Sequence, residues 1–364
     1  MQEIPIVLAT NNAYALYAYV TVSSIMEFAN CNILYSIYIF TDQIKNHYKD
    51  MFTRLIHENF SVTIIDVNEY IEKRDYYTCL HFSKEMYYRL YIPLILPQYE
   101  KVLYMDCDMI ACEDVSKLYS INISEYLVAA VKNPINNYNR NYIENTLNFN
   151  YYNYFNSGLL LINCKKFEDF HVREKCFKEL ENREKLLYPD QDTLNIVCEN
   201  RTLILDGIWN FQQHHKNKTG EFQVLSEFEK EYSLSEKNFK IIHFSGGDKP
   251  WNIPSIPYGY IFWNYARKTE AYEEIIYSCL QNKIEQRSIS TQQDMRTVLH
   301  DEIEQRSISI QQDMRTVLHN ELLGTGLKRK IKIFIEICKR DGILKALKHT
   351  YHKFKCWLVK GDKL

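Results

Sequence analysis

Tyr104–Asp114 reads YMDCDMIACED. The four residues Lys101–Tyr104 (KVLY) that lead into it form a short apolar run, which predicts a buried strand. Two carboxylates, Asp106 and Asp108, then stand one residue apart where that strand should end. Like charges this close repel unless a cation lies between them. In open α/β sheets, ligands sit beyond the carboxyl ends of the strands. The stretch therefore poses the fold and the chemistry as one question. An Asp-x-Asp pair taken alone is weak, since a solvated turn capped by Asp gives the same letters, so the flanking sequence has to choose.

Outward from it towards the N-terminus, strand and helix patterns alternate. IPIVLAT is strand-like, NAYALYAYVTVSSIMEFA helical, LYSIYIFTD strand-like, QIKNHYKDMFTRLIHEN helical and SVTIIDV strand-like. SKEMYYRLYIPLIL predicts a helix stopped near Pro97. Such alternation argues for an α/β domain with a mixed, mostly parallel sheet. Beyond the aspartates, Asn133–Asn156 is an Asn- and Tyr-rich run with few charges. It reads as a mobile loop over a site or as a surface loop of biased composition. SGLLLINCKKF (strand), VREKCFKELENREKLL and DQDTLNIVCEN (helices), RTLILD (strand) and KIIHFSGGDKPW (strand into a glycine turn) follow.

The 364 residues carry 44 Lys/Arg against 46 Asp/Glu, so no global charge marks a nucleic-acid binder. The distribution is uneven. From Gly326 onward, twelve basic and three acidic side chains give +9, whereas the preceding residues, with 32 basic and 43 acidic, carry −11. Ten cysteines are scattered without CxxC spacing, which argues for reduced thiols in a cytosolic protein and against a zinc site. The N-terminus shows no signal-peptide pattern, and no apolar run is long enough to span a membrane.

Three units follow: a domain over 1–265, a helical extension over 266–323 and a basic amphipathic tail over 324–364. Within the extension, residues 284–300 recur at 303–319 with sixteen of seventeen positions identical. A period of 19 returns with a helical phase error of about 100°, so the copies cannot present one stripe to a flat partner, and a tolerated spacer is the simpler reading. In the tail, Leu344, Leu347, Tyr351, Phe354 and Leu358 keep helical spacing among lysines, a pattern suited to an anionic membrane surface.

Three further segments bear on the aspartates. YFNSGLLLIN places Asn156, Ser157 and Gly158 before a buried strand, where glycine permits close backbone approach. YPDQDTLN opens a helix with Asp190, Gln191 and Asp192, which the helix dipole favours. HFSGGDKPW supplies His243 as a possible metal ligand and Lys249 as a partner for phosphate. Each has an ordinary structural reading; the four in this order support a hard divalent ion that offsets charge on a diphosphate leaving group.

In that order, VLATNNAYA, HFSKEMYYRLYIP, YMDCD, FNSGLLLIN, DQDTLN and HFSGGDKPW resemble glycosyltransferase family 8, over about Ile4 to Trp251. The family includes glycogenin and bacterial lipopolysaccharide galactosyl- and glucosyltransferases. The resemblance implies a single Rossmann-like nucleotide-sugar-binding domain of GT-A type, a UDP-sugar donor and Mn²⁺ or Mg²⁺. It implies Asp106, Asp108 and His243 as metal ligands, and Ala9, Asn11 and Tyr14 along the uridine. Arg89, Lys249 and Gly246 would face the diphosphate, with Cys107 beside them on the donor side. Asn156, Asp190 and Gln191 would surround the sugar, and His81 would border the acceptor. Gln191 would lie beneath the anomeric carbon, with Asp192 the nearby carboxylate; front-face attack with the departing phosphate as base is the preferred route. Asn11 and Asn133 stand where the family tends to carry Asp.

The expected activity is thus retaining transfer of glucose or galactose from a UDP-sugar to a glycan or lipid-linked saccharide, in lipopolysaccharide or other cell-surface glycan synthesis. The enzyme would work in the cytoplasm, peripheral on the inner leaflet. A glycogenin-like self-glucosylating protein (the chain has 29 tyrosines) and a catalytically silent nucleotide-sugar-binding protein are the alternatives.

Overall fold

The computed structural model describes residues 2–71, 83–183, 186–213, 223–281 and 284. Through Cys279 the chain forms one compact unit. His81, the tandem duplication beyond residue 284 and the basic tail lie outside the described residues.

The first half alternates as its periodicity predicts: β1 (Gln2–Ala9), α1 (Ala15–Glu27), β2 (Ile33–Thr41), α2 (Asn46–Thr53) and β3 (Phe60–Asp66). A tight 3₁₀ helix over Lys84–Tyr91 runs into one α-turn, α3 (Ile92–Ile95). A single α-helix was expected there. Pro93 starts the α-turn, as suits a residue without an N–H. Glu85 through Tyr91 are all buried, so packing on every side rather than one amphipathic face sets the geometry.

The chain continues through β4 (Lys101–Met105), β5 (Met109–Ala111), α4 (Ser116–Tyr119), β6 (Val128–Lys132) and α5 (Asn137–Tyr142). It goes on through β7 (Phe155–Asn163), α6 (Cys164–Asp169), α7 (Val172–Asn182), α8 (Pro189–Val197), β8 (Thr202–Leu205) and β9 (Phe211–Gln212), then α9 (Ser226–Asn238), β10 (Ile241–His243) and α10 (Gly259–Ala266), with further helix over 272–281.

Seven strands form one sheet in the order β3-β2-β1-β4-β7-β6-β8. β7 runs antiparallel to both its neighbours, and the other junctions are parallel. The sheet is mixed and mostly parallel, as the alternation implied. Period-two alternation sorts its side chains into two layers. Ile4, Ile6, Leu8, Leu103, Met105, Leu159 and Leu161 pack on the α1 and α10 side. Val7, Val102, Tyr104, Leu160 and Ile162 pack against the 3₁₀ helix and α6 to α8. With both faces covered, the strands read as continuous apolar runs.

A second, three-stranded sheet, β5-β10-β9, branches from the carboxyl end of β4. His243 pairs with Met109 on one side and Gln212 on the other. The Asn- and Tyr-rich run is not a bare loop. The Asn136 and Asn150 side chains cap its short helices. Ile135, Ile143, Leu147, Phe149 and Tyr154 bury themselves with Leu186 and Phe228 in a small separate core. Among the described residues no helix is long and apolar enough to cross a membrane, and none of the seven described cysteines is in a disulfide.

Candidate active site

β4 ends at Met105 and β5 begins at Met109, so Asp106, Cys107 and Asp108 form the link between the two sheets. Backbone bonds fix that link. Asp106 N–H donates to Gly158 O at 2.8 Å, and Phe244 N–H to Asp108 O at 2.9 Å. Thr21 Oγ1 of α1 lies 2.8 Å from the carbonyls of both Cys107 and Met109. The Cys107 thiol is buried, donates to Ala9 O at 3.0 Å and is pushed well above its usual range by burial. These contacts hold both carboxylates at the floor of a cavity of about 460 Å³.

The two carboxylates divide their oxygens in the same way. Asp106 Oδ1 accepts from Arg89 Nη2 at 3.0 Å and from the Tyr104 hydroxyl at 2.7 Å, while Oδ2 faces His243 Nε2 at 3.9 Å. Asp108 Oδ2 accepts from Lys249 Nζ, and Oδ1 lies 3.1 Å from His243 Nε2. One atom from each of Asp106, Asp108 and His243 falls within a 4.8 Å cluster. Asp108 Oδ1 is buried without a hydrogen-bond partner. Beside the cluster, Gly158 leaves no room for a side chain. A Cβ there would stand 2.5 Å from His243 Cε1 and 2.7 Å from Asp106 Oδ2. An orphaned carboxylate oxygen, a facing imidazole nitrogen and a bare glycine wall fit a hard cation with mixed oxygen and nitrogen ligands. Lys249, with the imidazole beside it, holds the Asp108 carboxyl far below the usual range despite its burial.

The cations are as buried as the anions. Arg89 is 4% exposed and bridges Asp106 to Asp190, whose Oδ2 lies 3.3 Å from Arg89 Nε. Its guanidinium also donates to Ser157 O and lies 4.4 Å from the centre of the Tyr104 ring. Lys249 donates to Phe244 O at 2.7 Å as well as to Asp108. Gly246 takes φ 83°, the left-handed region open to glycine, within the cavity wall.

Across the cavity, Gln191 Oε1 accepts from Asn156 Nδ2 at 3.1 Å and from Ser157 N–H at 3.0 Å. Burial raises the Asp190 carboxyl, which accepts from Ser157 Oγ at 2.9 Å. Asn11 Oδ1 is already taken by the N–H groups of Ala13 and Tyr14, at 2.9 and 3.2 Å. The amide hydrogens, not the carbonyl, are therefore what Asn11 presents. Tyr14 sits edge-on to Trp251, which stacks on Tyr17 at 3.6 Å.

The cavity wall thus gathers Ala9, Asn11, Tyr14, Arg89, Asp106, Cys107, Asp108, Asn156, Asp190, Gln191, His243, Gly246 and Lys249. Asp192, expected beside Gln191 as the nearby carboxylate, is not in the cavity wall. It is fully buried and does not line the cavity; its carboxylate accepts from Tyr142 at 2.6 Å, from the Tyr154 hydroxyl and from Tyr188 N–H at 3.0 Å. Burial pushes its carboxyl up to about 6. Sequence reasoning missed Glu85, Asn136, Asn139 and Gln212, which also line the cavity, and Asn210, which touches His243. Asn136 and Asn139 lay in the run read as a loop, and β9 beside Asn210 is too short to leave a periodic signal.

The glycosyl transferase family 8 model matches residues 5–253. General stress protein A of Bacillus subtilis (strain 168) is 31% identical over 196 residues, covering 52% of this chain and 67% of that protein. Lipopolysaccharide 1,2-glucosyltransferase of Escherichia coli (strain K12) is 26% identical over 243 residues, covering 63% and 68%. Among solved structures, the apo WbbM bifunctional glycosyltransferase superposes with a TM-score of 0.66 at 26% identity, over 76% of this chain and 51% of that one. An active-site mutant of LgtC superposes with a TM-score of 0.61 at 19% identity, over 73% and 96%, a likeness of fold. The seven-stranded sheet with its three-stranded branch is the GT-A arrangement these enzymes share.

Proposed function

The chain belongs to glycosyl transferase family 8, and from that premise we propose that it moves a hexose, glucose or galactose, from a UDP-sugar to a glycan acceptor with retention of configuration. The observation that carries the reading is the shared division of labour at Asp106 and Asp108. Each gives one oxygen to a buried cation and turns the other towards His243 Nε2. Asp106, Asp108 and His243 would hold Mn²⁺ or Mg²⁺, which supplies charge neutralisation of the leaving diphosphate when bound.

The chain's own residues account for the rest. Arg89 and Lys249 are buried, fixed cations that would stabilise charge as it develops on the diphosphate. Gly246 brings backbone to the same edge. Asn156 and Asp190 orient the sugar, and Tyr14 with the Asn11 amide orients the base. Holding an acceptor hydroxyl against the anomeric carbon supplies the entropic part of the acceleration. Gln191 has a poorly nucleophilic amide oxygen that already accepts two hydrogen bonds, and Asp192 is turned away among tyrosines. Both facts favour attack from the leaving-group face, with the departing phosphate taking the acceptor proton.

The acceptor we propose is a bacterial cell-surface saccharide, the class to which the printed name of the Escherichia coli relative points. The basic tail over 324–364 would carry the enzyme to an anionic inner leaflet on the cytoplasmic side. Donor turnover across UDP-, GDP- and CMP-sugars, with Mn²⁺ and with EDTA, tests the reading. Metal-dependent hydrolysis of one UDP-hexose, lost in Asp108→Ala, supports it; metal-independent turnover, or preference for another nucleotide, sinks it. Hexose mass added to the protein itself would indicate self-glucosylation instead.

A further inference from the structure

His243 has two ring nitrogens, and the cation site uses one. The other lies 3.0 Å from Asn210 Oδ1. We propose that Asn210 is a positioning residue of the cation site: it fixes His243 as the Nδ1–H tautomer and so keeps the Nε2 lone pair facing Asp106 and Asp108. The inference rests on reading those three side chains as the metal ligands.

The proton positions follow from a backbone group whose role is unambiguous. Gly158 N–H can only donate, so the Asn156 atom 3.0 Å from it is the carbonyl Oδ1. The Asn210 atom 2.9 Å from that oxygen is then the amide nitrogen. This turns Asn210 Oδ1 towards His243, and an oxygen without hydrogens can only accept. His243 Nδ1 therefore carries a proton, and whenever the ring is neutral that assignment leaves Nε2 bare.

Asn210 is suited to this work. It is 2% exposed, so water does not stand in for its amide. It directly precedes β9, the strand that runs beside β10 and His243. The same polarity runs on. Asn156 Nδ2 donates to Gln191 Oε1, Gln191 Nε2 donates to the Tyr154 hydroxyl at 3.1 Å, and Tyr154 donates to Asp192. A one-directional chain of side-chain donors thus links the imidazole to a buried carboxylate. Without the Asn210 acceptor, His243 would gain most by placing its proton on Nε2 and donating to Asp108, which blocks the ligand atom. Groups that orient a ligating histidine are worth about 10- to 100-fold in metal affinity.

The test uses the ¹⁵N-labelled full chain without metal, at a pH above which the His243 shifts no longer move. Long-range ¹H–¹⁵N spectra assign the tautomer, with His243→Gln identifying the signal. Calorimetric Mn²⁺ titrations, with and without UDP, accompany them. The wild type should show Nδ1–H. Asn210→Leu, which removes the acceptor, should move the proton to Nε2 and weaken Mn²⁺ binding about 10- to 100-fold. Asn210→Asp, which keeps an acceptor and loses the donor, should retain Nδ1–H. An Nε2–H wild type overturns the proposal without any variant, as does a folded Asn210→Leu with unchanged tautomer and affinity. If the wild type binds no Mn²⁺, the metal reading fails, and the spectra alone decide the role of Asn210.

Discussion

Gly158→Ala adds one methyl group at the wall of the cluster, and its cost can be worked from distances. The new Cβ would stand 2.5 Å from His243 Cε1, 2.7 Å from Asp106 Oδ2 and 3.0 Å from Asn156 Oδ1. Carbon atoms pack at about 3.5–4.0 Å, so His243 must retreat by about 1 Å. The backbone cannot yield instead. Gly158 lies inside β7, with its N–H held by Asn156 and its carbonyl by Asp106 N–H. A cation's ligands tolerate errors of only about 0.2 Å, so the displacement exceeds what the site accepts. Misplacement of about 1 Å costs on the order of 10²-fold in turnover. Overpacking a buried site costs about 1–3 kcal/mol, which lowers the thermal midpoint by a few degrees while the fold survives. Donor hydrolysis and Mn²⁺ calorimetry on the folded variant measure both effects. Turnover within about twofold of wild type would show that the cluster does not depend on a bare wall at this position.

Arg89→Met leaves Asp106 and Asp190 without their shared cation; loss of one partner from a buried pair costs about 3–5 kcal/mol. Urea unfolding measures it, and a loss below about 1 kcal/mol would mean that water reaches those carboxylates. Asp192 carries a carboxyl raised to about 6, so the native state keeps a proton that the unfolded chain releases near pH 4. Its stabilising effect is complete below about pH 4 and is lost as pH rises through about 6, worth roughly 2–3 kcal/mol. Wild type should therefore lose stability relative to Asp192→Asn across that window, and parallel melting curves would refute the shift. Truncation after Leu323 should abolish sedimentation with anionic liposomes while donor hydrolysis persists. Undiminished sedimentation would remove the tail from any account of membrane contact.

Much of the fold was legible because burial writes itself into the sequence with a fixed period. β1, β2, β4 and β7 are covered on both faces, so they appear as unbroken apolar runs, and the helices between them keep one apolar stripe. Asp106 and Asp108 were legible because paired carboxylates at a strand end are costly without a cation. The 3₁₀ geometry of Lys84–Tyr91 was not, since packing on all sides overrode the helical pattern. The helical turns within Asn133–Asn156 were hidden by polar capping residues that also occur in loops.

Sequence by itself determined the element order, the carboxyl-end position of the site and most of the charged and polar residues that gather in its cavity, because these depend on local period and on charge. Only the tertiary structure decided how those residues are shared out. β5, β9 and β10 are two or three residues long, too short for any pattern, yet their pairing sets His243 between Met109 and Gln212, where its ring meets Asp108 and Asn210. Asp190, Gln191 and Asp192 are adjacent letters with different roles, because one helical turn points the first two into the cavity and the third into a cage of tyrosines. Direction around a helix and pairing across a short ladder are set by what packs against them, and that information is spread over the whole chain.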